Sequence, residues 1–187
     1  MRRFIVIFSI LLSGCASTPD PQQCELVRGT ELPLFPVYQY AEHLNQTQKI
    51  TLRGKNRTFE YIARIEATGS QLTMVAITPI GQKLFQIIYT TNGVDFTGFG
   101  IEEEIKPELI LADVGLVHIN EETIAECLSR DGQTLKIIAM TDSKRIFETS
   151  KGERIIVRYS GASAPANRTI EYDNRIYDYH VTIQMLD

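Results

Sequence analysis

The chain has 187 residues, with 19 basic and 23 acidic side chains and a formal net charge of −4. That length suits a single domain. Charges of both signs are interspersed and no basic tract is available to track a phosphate backbone, so the composition argues against a nucleic-acid partner.

The chain begins with an apolar run over residues 4–12, led by Arg2 and Arg3. The run is too short to span a bilayer, which takes about 20 apolar residues as a helix. Basic, then apolar, then small is the layout of a secretory signal peptide. Leu12, Ser13, Gly14 and Cys15 resemble the bacterial lipobox, in which the cysteine thiol takes a diacylglycerol and the chain is cut just before it. An ordinary signal peptide that ends beside a cysteine is the alternative. The lipobox resemblance implies a signal peptide over residues 1–14 and an acylated Cys15 that anchors the protein to a membrane. Ala16 after the cysteine resembles outer-membrane sorting. The expected location is therefore the periplasmic face of the outer membrane of a Gram-negative bacterium. Loss of Arg2 and Arg3 leaves the mature chain more acidic still.

Residues 15–36 carry Pro19, Pro21, Pro33 and Pro36 and little periodicity. This predicts a lipidated tether and an irregular lead-in, followed by a folded domain over 37–187. Export permits disulfides. The two remaining cysteines, Cys24 and Cys127, either bridge leader to body, or Cys127 is a buried free thiol.

From about Lys49 the hydropathy pattern has period two, the mark of a half-buried strand. Residues 58–67 put Tyr61, Ala63 and Ile65 on one face and Glu60, Arg64 and Glu66 on the other. Strands over 71–78 and 83–90 follow, the second with Phe85, Ile87 and Tyr89 on one face. Asn92 and Gly93 favour a tight hairpin, and 94–99 returns as the next strand of an antiparallel meander. Residues 107–117 are apolar at helical spacings in two series, Leu109, Ala112 and Leu116, and Ile110, Val114 and Val117. Pro107 suits a helix start, while Gly115 weakens the helix and predicts a short one.

A better-marked helix covers 120–128. Asn120 can cap it, Glu121 and Glu122 favour its dipole, and Ile119 can staple onto Ile124. Strands resume over 135–140, 145–149, 154–160, 169–172 and 176–186, with turns expected at Lys151 and Gly152 and at Asp173 and Asn174. In the last strand Tyr177, Tyr179, Val181, Ile183 and Met185 face one way, and Asp178, His180, Thr182 and Gln184 the other.

Roughly ten strands with one apolar face each predict a mainly β protein, a curved antiparallel half-barrel whose short helices plug the concave side. The inward set is Tyr61, Ala63, Ile65, Phe85, Ile87, Tyr89, Ile155, Val157, Tyr159, Tyr179, Val181 and Ile183. Leu109, Ala112, Leu116, Ile124 and Leu128 belong to the helical lid. Fully packed, these residues are an ordinary core; incompletely packed, they enclose an apolar cavity able to hold acyl chains.

Residues 72–85, with Pro79 and Gly81 between two strands, resemble the hairpin of the LolA/LolB lipoprotein-carrier superfamily. Residues 106–116, with Ala112 and Asp113, resemble the helix of LolB-like outer-membrane lipoproteins of unknown function, which are often encoded beside aryl polyene and fatty-acid-type biosynthesis genes. The resemblance extends over most of 45–186. It implies an eleven-strand half-barrel that binds the acyl chains of a lipid, lipoprotein or polyene lipid, as carrier or acceptor in envelope lipid transport. The chain departs from the receptor LolB in having no tryptophan. It also lacks that receptor's protruding apolar loop, since Thr91, Asn92 and Gly93 are polar.

No enzymatic pattern emerges. His43, His118 and His180 are scattered, there is no Gly-x-Ser-x-Gly, and residues 97–100 lack the third glycine of a dinucleotide loop. Glu102, Glu103 and Glu104 form a solvated acidic run. The expectation is a non-catalytic, monomeric lipid-binding protein without metal or cofactor. One alternative is an adaptor lipoprotein that docks an envelope protein partner through the acidic run or a sheet edge. The other, an enzyme acting on lipid-linked substrates, requires a polar pair in the cavity that the sequence does not reveal.

Overall fold

A computed structural model describes residues 24–41, 44–55, 57–98, 106–130, 132–161 and 168–186. Among these, ten strands form one antiparallel sheet. They are β3 (Asn45–Arg53), β4 (Thr58–Ala67), β5 (Gln71–Ile77), β6 (Lys83–Thr90), β7 (Gly93–Gly98), β8 (Lys136–Thr141), β9 (Lys144–Glu148), β10 (Arg154–Ser160), β11 (Thr169–Asn174) and β12 (Tyr179–Met185). The order across the sheet is β7-β6-β5-β4-β3-β12-β11-β10-β9-β8. The chain therefore starts at the centre, meanders out to the β7 edge, crosses to the β8 edge, and meanders back until β12 pairs with β3. Ile183 lies opposite Ile50 in that central pairing. The sheet curves but does not close, so the protein is a half-barrel of mainly β class.

The crossing between edges carries the two helices, α1 (Pro107–His118) and α2 (Glu121–Leu128). This is the physical reason for a helical insert in the middle of a β sequence: it traverses the apolar face on its way between edges. Asn120 caps α2 as its position suggested, its Oδ1 accepting from the Thr123 amide at 2.8 Å. Helix α1 is short, as expected, and runs on through Gly115. A Cβ at that position would lie 2.3 Å from Phe35 Cδ2, inside contact distance, and 3.1 Å from Tyr40 Oη. The glycine there permits close packing and does not end the helix.

The lead-in also differs from the expected tether. From Cys24 on, a ribbon of β1 (Glu25–Leu26) and β2 (Pro33–Leu34) and a short 3-10 turn (Val37–Tyr40) lie in the body. Leu32, Phe35, Val37 and Tyr40 are buried, so the folded unit begins before residue 37. Phe35, Tyr40 and Tyr89 meet edge to face, with ring centroids 6.4 and 6.2 Å apart. Tyr89 Oη donates to the Phe35 carbonyl and Tyr40 Oη to the Leu111 carbonyl, both at 2.9 Å. A disulfide joins Cys24 to Cys127 of α2, with Cα atoms 5.5 Å apart, and closes this layer.

Two local differences concern turns. The β11–β12 turn spans residues 175–178, with β11 continuing through Asn174, so Tyr177 and Asp178 belong to the turn. Asn174 Oδ1 accepts from the amides of Ile176 and Tyr177, and Asp178 takes a left-handed φ of 58°, a conformation Asp tolerates better than most residues. At the β5–β6 turn the Ile80 side chain is 90% exposed, an apolar projection from the end of the hairpin.

Candidate functional site

Helix α1 is apolar nearly all round, which requires burial on both sides. One stripe, Leu111, Ala112, Gly115 and Leu116, is buried, with Gly115 and the Leu111 carbonyl meeting Phe35 and Tyr40 of the lead-in. The other, Ile110, Asp113, Val114 and Val117, follows helical spacing and looks onto the sheet. Between that stripe and strands β3, β4, β11 and β12 lies a cavity of about 830 Å³. Ligand pockets run to about 300–1,000 Å³.

Its walls come from alternate positions of the strands: Ile50 and Leu52 of β3, Tyr61 and Ile65 of β4, Tyr172 of β11, and Tyr179, Val181 and Ile183 of β12. Met74 and Phe85 extend the wall on one side. The lining residues that are exposed lie at one end: Lys55 and Arg57 of the β3–β4 turn, Phe59, Glu60, Lys106 before α1, and Tyr177 of the β11–β12 turn. These form the mouth. His118 and buried Gln48 also line the cavity, the Gln48 amide hydrogen-bonding the His118 ring at 3.0 Å.

Of the sequence-derived inward set, Tyr61, Ile65, Phe85, Tyr179, Val181 and Ile183 line the cavity, as does Leu109 of the lid. The others do not. Ala63, Ile87 and Tyr89 are buried in packed core, Tyr89 against the lead-in that fills that part of the concave face. Ile155 and Val157 are buried away from the cavity, and Tyr159 is engaged at the end of α1. Its Oη donates to the Val117 carbonyl at 2.7 Å, and Arg145, 5.3 Å from its ring centroid, donates to the carbonyls of Leu116, Val117 and Ile119. Ala112 and Leu116 lie on the other stripe of α1, and Ile124 and Leu128 sit on α2, which packs near β8 and does not cover the cavity. The expected series Leu109, Ala112 and Leu116 is thus split, Leu109 lining the cavity with Ile110, Val114 and Val117 while Ala112 and Leu116 do not line it.

Asp113 is the residue the sequence reading missed. Tyr172 Oη and Tyr179 Oη donate to its two carboxyl oxygens. Asn174 Nδ2 in turn reaches Tyr179 Oη at 3.0 Å and Tyr172 Oη at 3.4 Å. The two tyrosine rings stack with centroids 6.2 Å apart. Burial pushes the Asp113 carboxyl up from 3.8 to about 7, opposed by the donors from Tyr172, Tyr179 and Asn174. Burial likewise raises Tyr172 and Tyr179, so both stay protonated as donors. The signal was available: Asp113 is the one charged residue on the Ile110, Val114 and Val117 stripe. The cluster supplies the polar group in the cavity that an enzyme would need. Both of its oxygens are already occupied, and among the described residues no serine or cysteine lines the cavity beside it. What it does is fasten the middle of α1 to β11 and β12.

His180 sits on the solvent side of β12, 2.5 Å from Glu171. Among the described residues no three His, Cys, Asp or Glu side chains are grouped to hold a metal ion, and no helix is long and apolar enough to cross a membrane. Cys15, His43, Glu102, Glu103 and Glu104 lie outside the described residues.

No curated protein matches the chain in sequence. A family described as "Protein of unknown function (DUF3261)" matches residues 45–187, a span that takes in every strand of the half-barrel and both helices, and the chain belongs to that family.

Proposed function

We propose that this protein binds acyl chains of a lipid, lipoprotein or polyene lipid in the cavity under α1, as a non-catalytic carrier or acceptor in lipid transport at the outer membrane. The observation that carries the reading is the cavity itself: about 830 Å³, walled by aliphatic and aromatic side chains, and open where the exposed lining residues gather. Hiding an acyl chain from water is worth about 0.8 kcal/mol per methylene, so a chain of ordinary length has ample reason to enter. The lipobox-like cysteine, Cys15, would hold the cavity at the membrane surface. A Cys24–Cys127 disulfide suits an oxidising compartment outside the cytoplasm. The resemblance to LolB-like lipoproteins points the same way.

Native mass spectrometry of protein purified under mild conditions, together with displacement of the apolar fluorophore N-phenyl-1-naphthylamine, tests the binding. Co-purified lipid and displaceable fluorescence are expected; absence of both would sink the proposal. Metabolic labelling with palmitate tests the anchor: Cys15→Ala should abolish incorporation and release the protein from the membrane fraction.

A further inference from the structure

Among the described residues that line the mouth, three are basic and one, Glu60, is acidic. Lys55, Arg57 and Lys106 line it from two sides, the β3–β4 turn and the start of α1. Of the described acidic groups beside these, two take part in ion pairs. Glu60 pairs with Lys49 at 3.7 Å. Asp178 lies 3.6 Å from Lys55 with both side chains well exposed, a contact that leaves the lysine available to a better partner. Deeper in, both carboxyl oxygens of Asp113 already take donors from Tyr172 and Tyr179, so this buried cluster offers no compensation for a charged head. An amphiphile with a negative head is therefore favoured at the mouth and disfavoured inside, while its tail is favoured inside.

We propose that the ligand is an anionic amphiphile bound tail-in, its carboxylate or phosphate held between Lys55, Arg57 and Lys106. This rests on the cavity reading above and adds to it the sign of the head and the orientation of the chain. Phe59 and Tyr177, exposed at the same mouth, give the segment of chain next to the head an apolar collar.

The test is a competition series against bound N-phenyl-1-naphthylamine, which is uncharged, using competitors with the same palmitoyl chain: palmitate, palmitoyl-lysophosphatidylglycerol, and neutral 1-palmitoylglycerol. The anions should displace the probe at about tenfold lower concentration than the neutral lipid, the size of effect a few exposed charge contacts supply. Raising the salt should shrink that ratio, and the triple variant Lys55→Gln, Arg57→Gln, Lys106→Gln should bring it near one. An advantage for palmitate alone supports a free fatty acid as the ligand, and one for the lysophospholipid alone a phospholipid. Equal displacement by charged and neutral competitors, or a ratio that survives the triple variant, overturns the inference while leaving acyl-chain binding intact. Failure of the probe and every competitor to bind removes the cavity reading and the inference together.

Discussion

Asp113 makes stability depend on pH in a direction opposite to most carboxylates. Its carboxyl is raised from 3.8 to about 7, by burial above all. Between those values the folded protein holds a proton that the unfolded chain has released, so stability falls as pH rises through the window and levels off above about 7. Each unit is worth about 1.4 kcal/mol, which puts the total near 4 kcal/mol. Because the carboxyl faces a cavity that water can enter, this is an upper bound. Asp113→Asn removes the titration while keeping a carbonyl acceptor for one of the two tyrosines. Urea unfolding of both proteins at about pH 5, 6, 7 and 8 measures the effect as a difference, in which contributions common to both proteins cancel. Wild-type stability minus variant stability should fall by up to about 1.4 kcal/mol per unit from pH 5 to 7 and change little from 7 to 8. Curves that stay parallel across the range would refute the reasoning.

Other expectations follow from packing and cross-linking. Gly115→Ala drives a methyl group into the Phe35 ring and should cost about 1–3 kcal/mol, read as a lower Tm; Phe35→Leu in the same chain should recover part of the loss, and an unchanged Tm for the single variant would contradict the close packing. Replacing Cys24 and Cys127 together by serine opens a bridge between residues 103 apart in sequence. Loops of about 100 residues carry up to about 4.7 kcal/mol, so the urea midpoint should drop and the segment from residue 24 to 36 should become the first site of proteolysis. Val114→Phe, on the cavity stripe of α1, should weaken probe binding by about tenfold or more with far-UV circular dichroism unchanged. Binding at wild-type strength would place the ligand elsewhere.

Much of the architecture could be read from residues alone, because period-two alternation and turn chemistry act locally. Tyr61, Ala63 and Ile65 share a face wherever residues 58–67 are a strand, and Asn120 caps whatever helix follows it. These features follow from side-chain geometry over a few residues. The fold class was therefore legible, down to a half-barrel with helices on its concave side. What alternation cannot say is how the apolar face is covered, because that depends on segments far apart in sequence. The lead-in, which its prolines made look like a tether, folds against Tyr89 and turns part of the expected cavity lining into core. Gly115 looked like a weak point of α1 until Phe35, eighty residues earlier, was found against it. Asp113, Tyr172, Tyr179 and Asn174 come from α1, β11 and the start of β12, and only the crossing of the helix over the sheet brings them together. Local alternation sets which faces of the elements are apolar; the packing of distant segments sets which of those faces are filled and which enclose about 830 Å³ of space, since filling is a property of volumes summed over distant side chains.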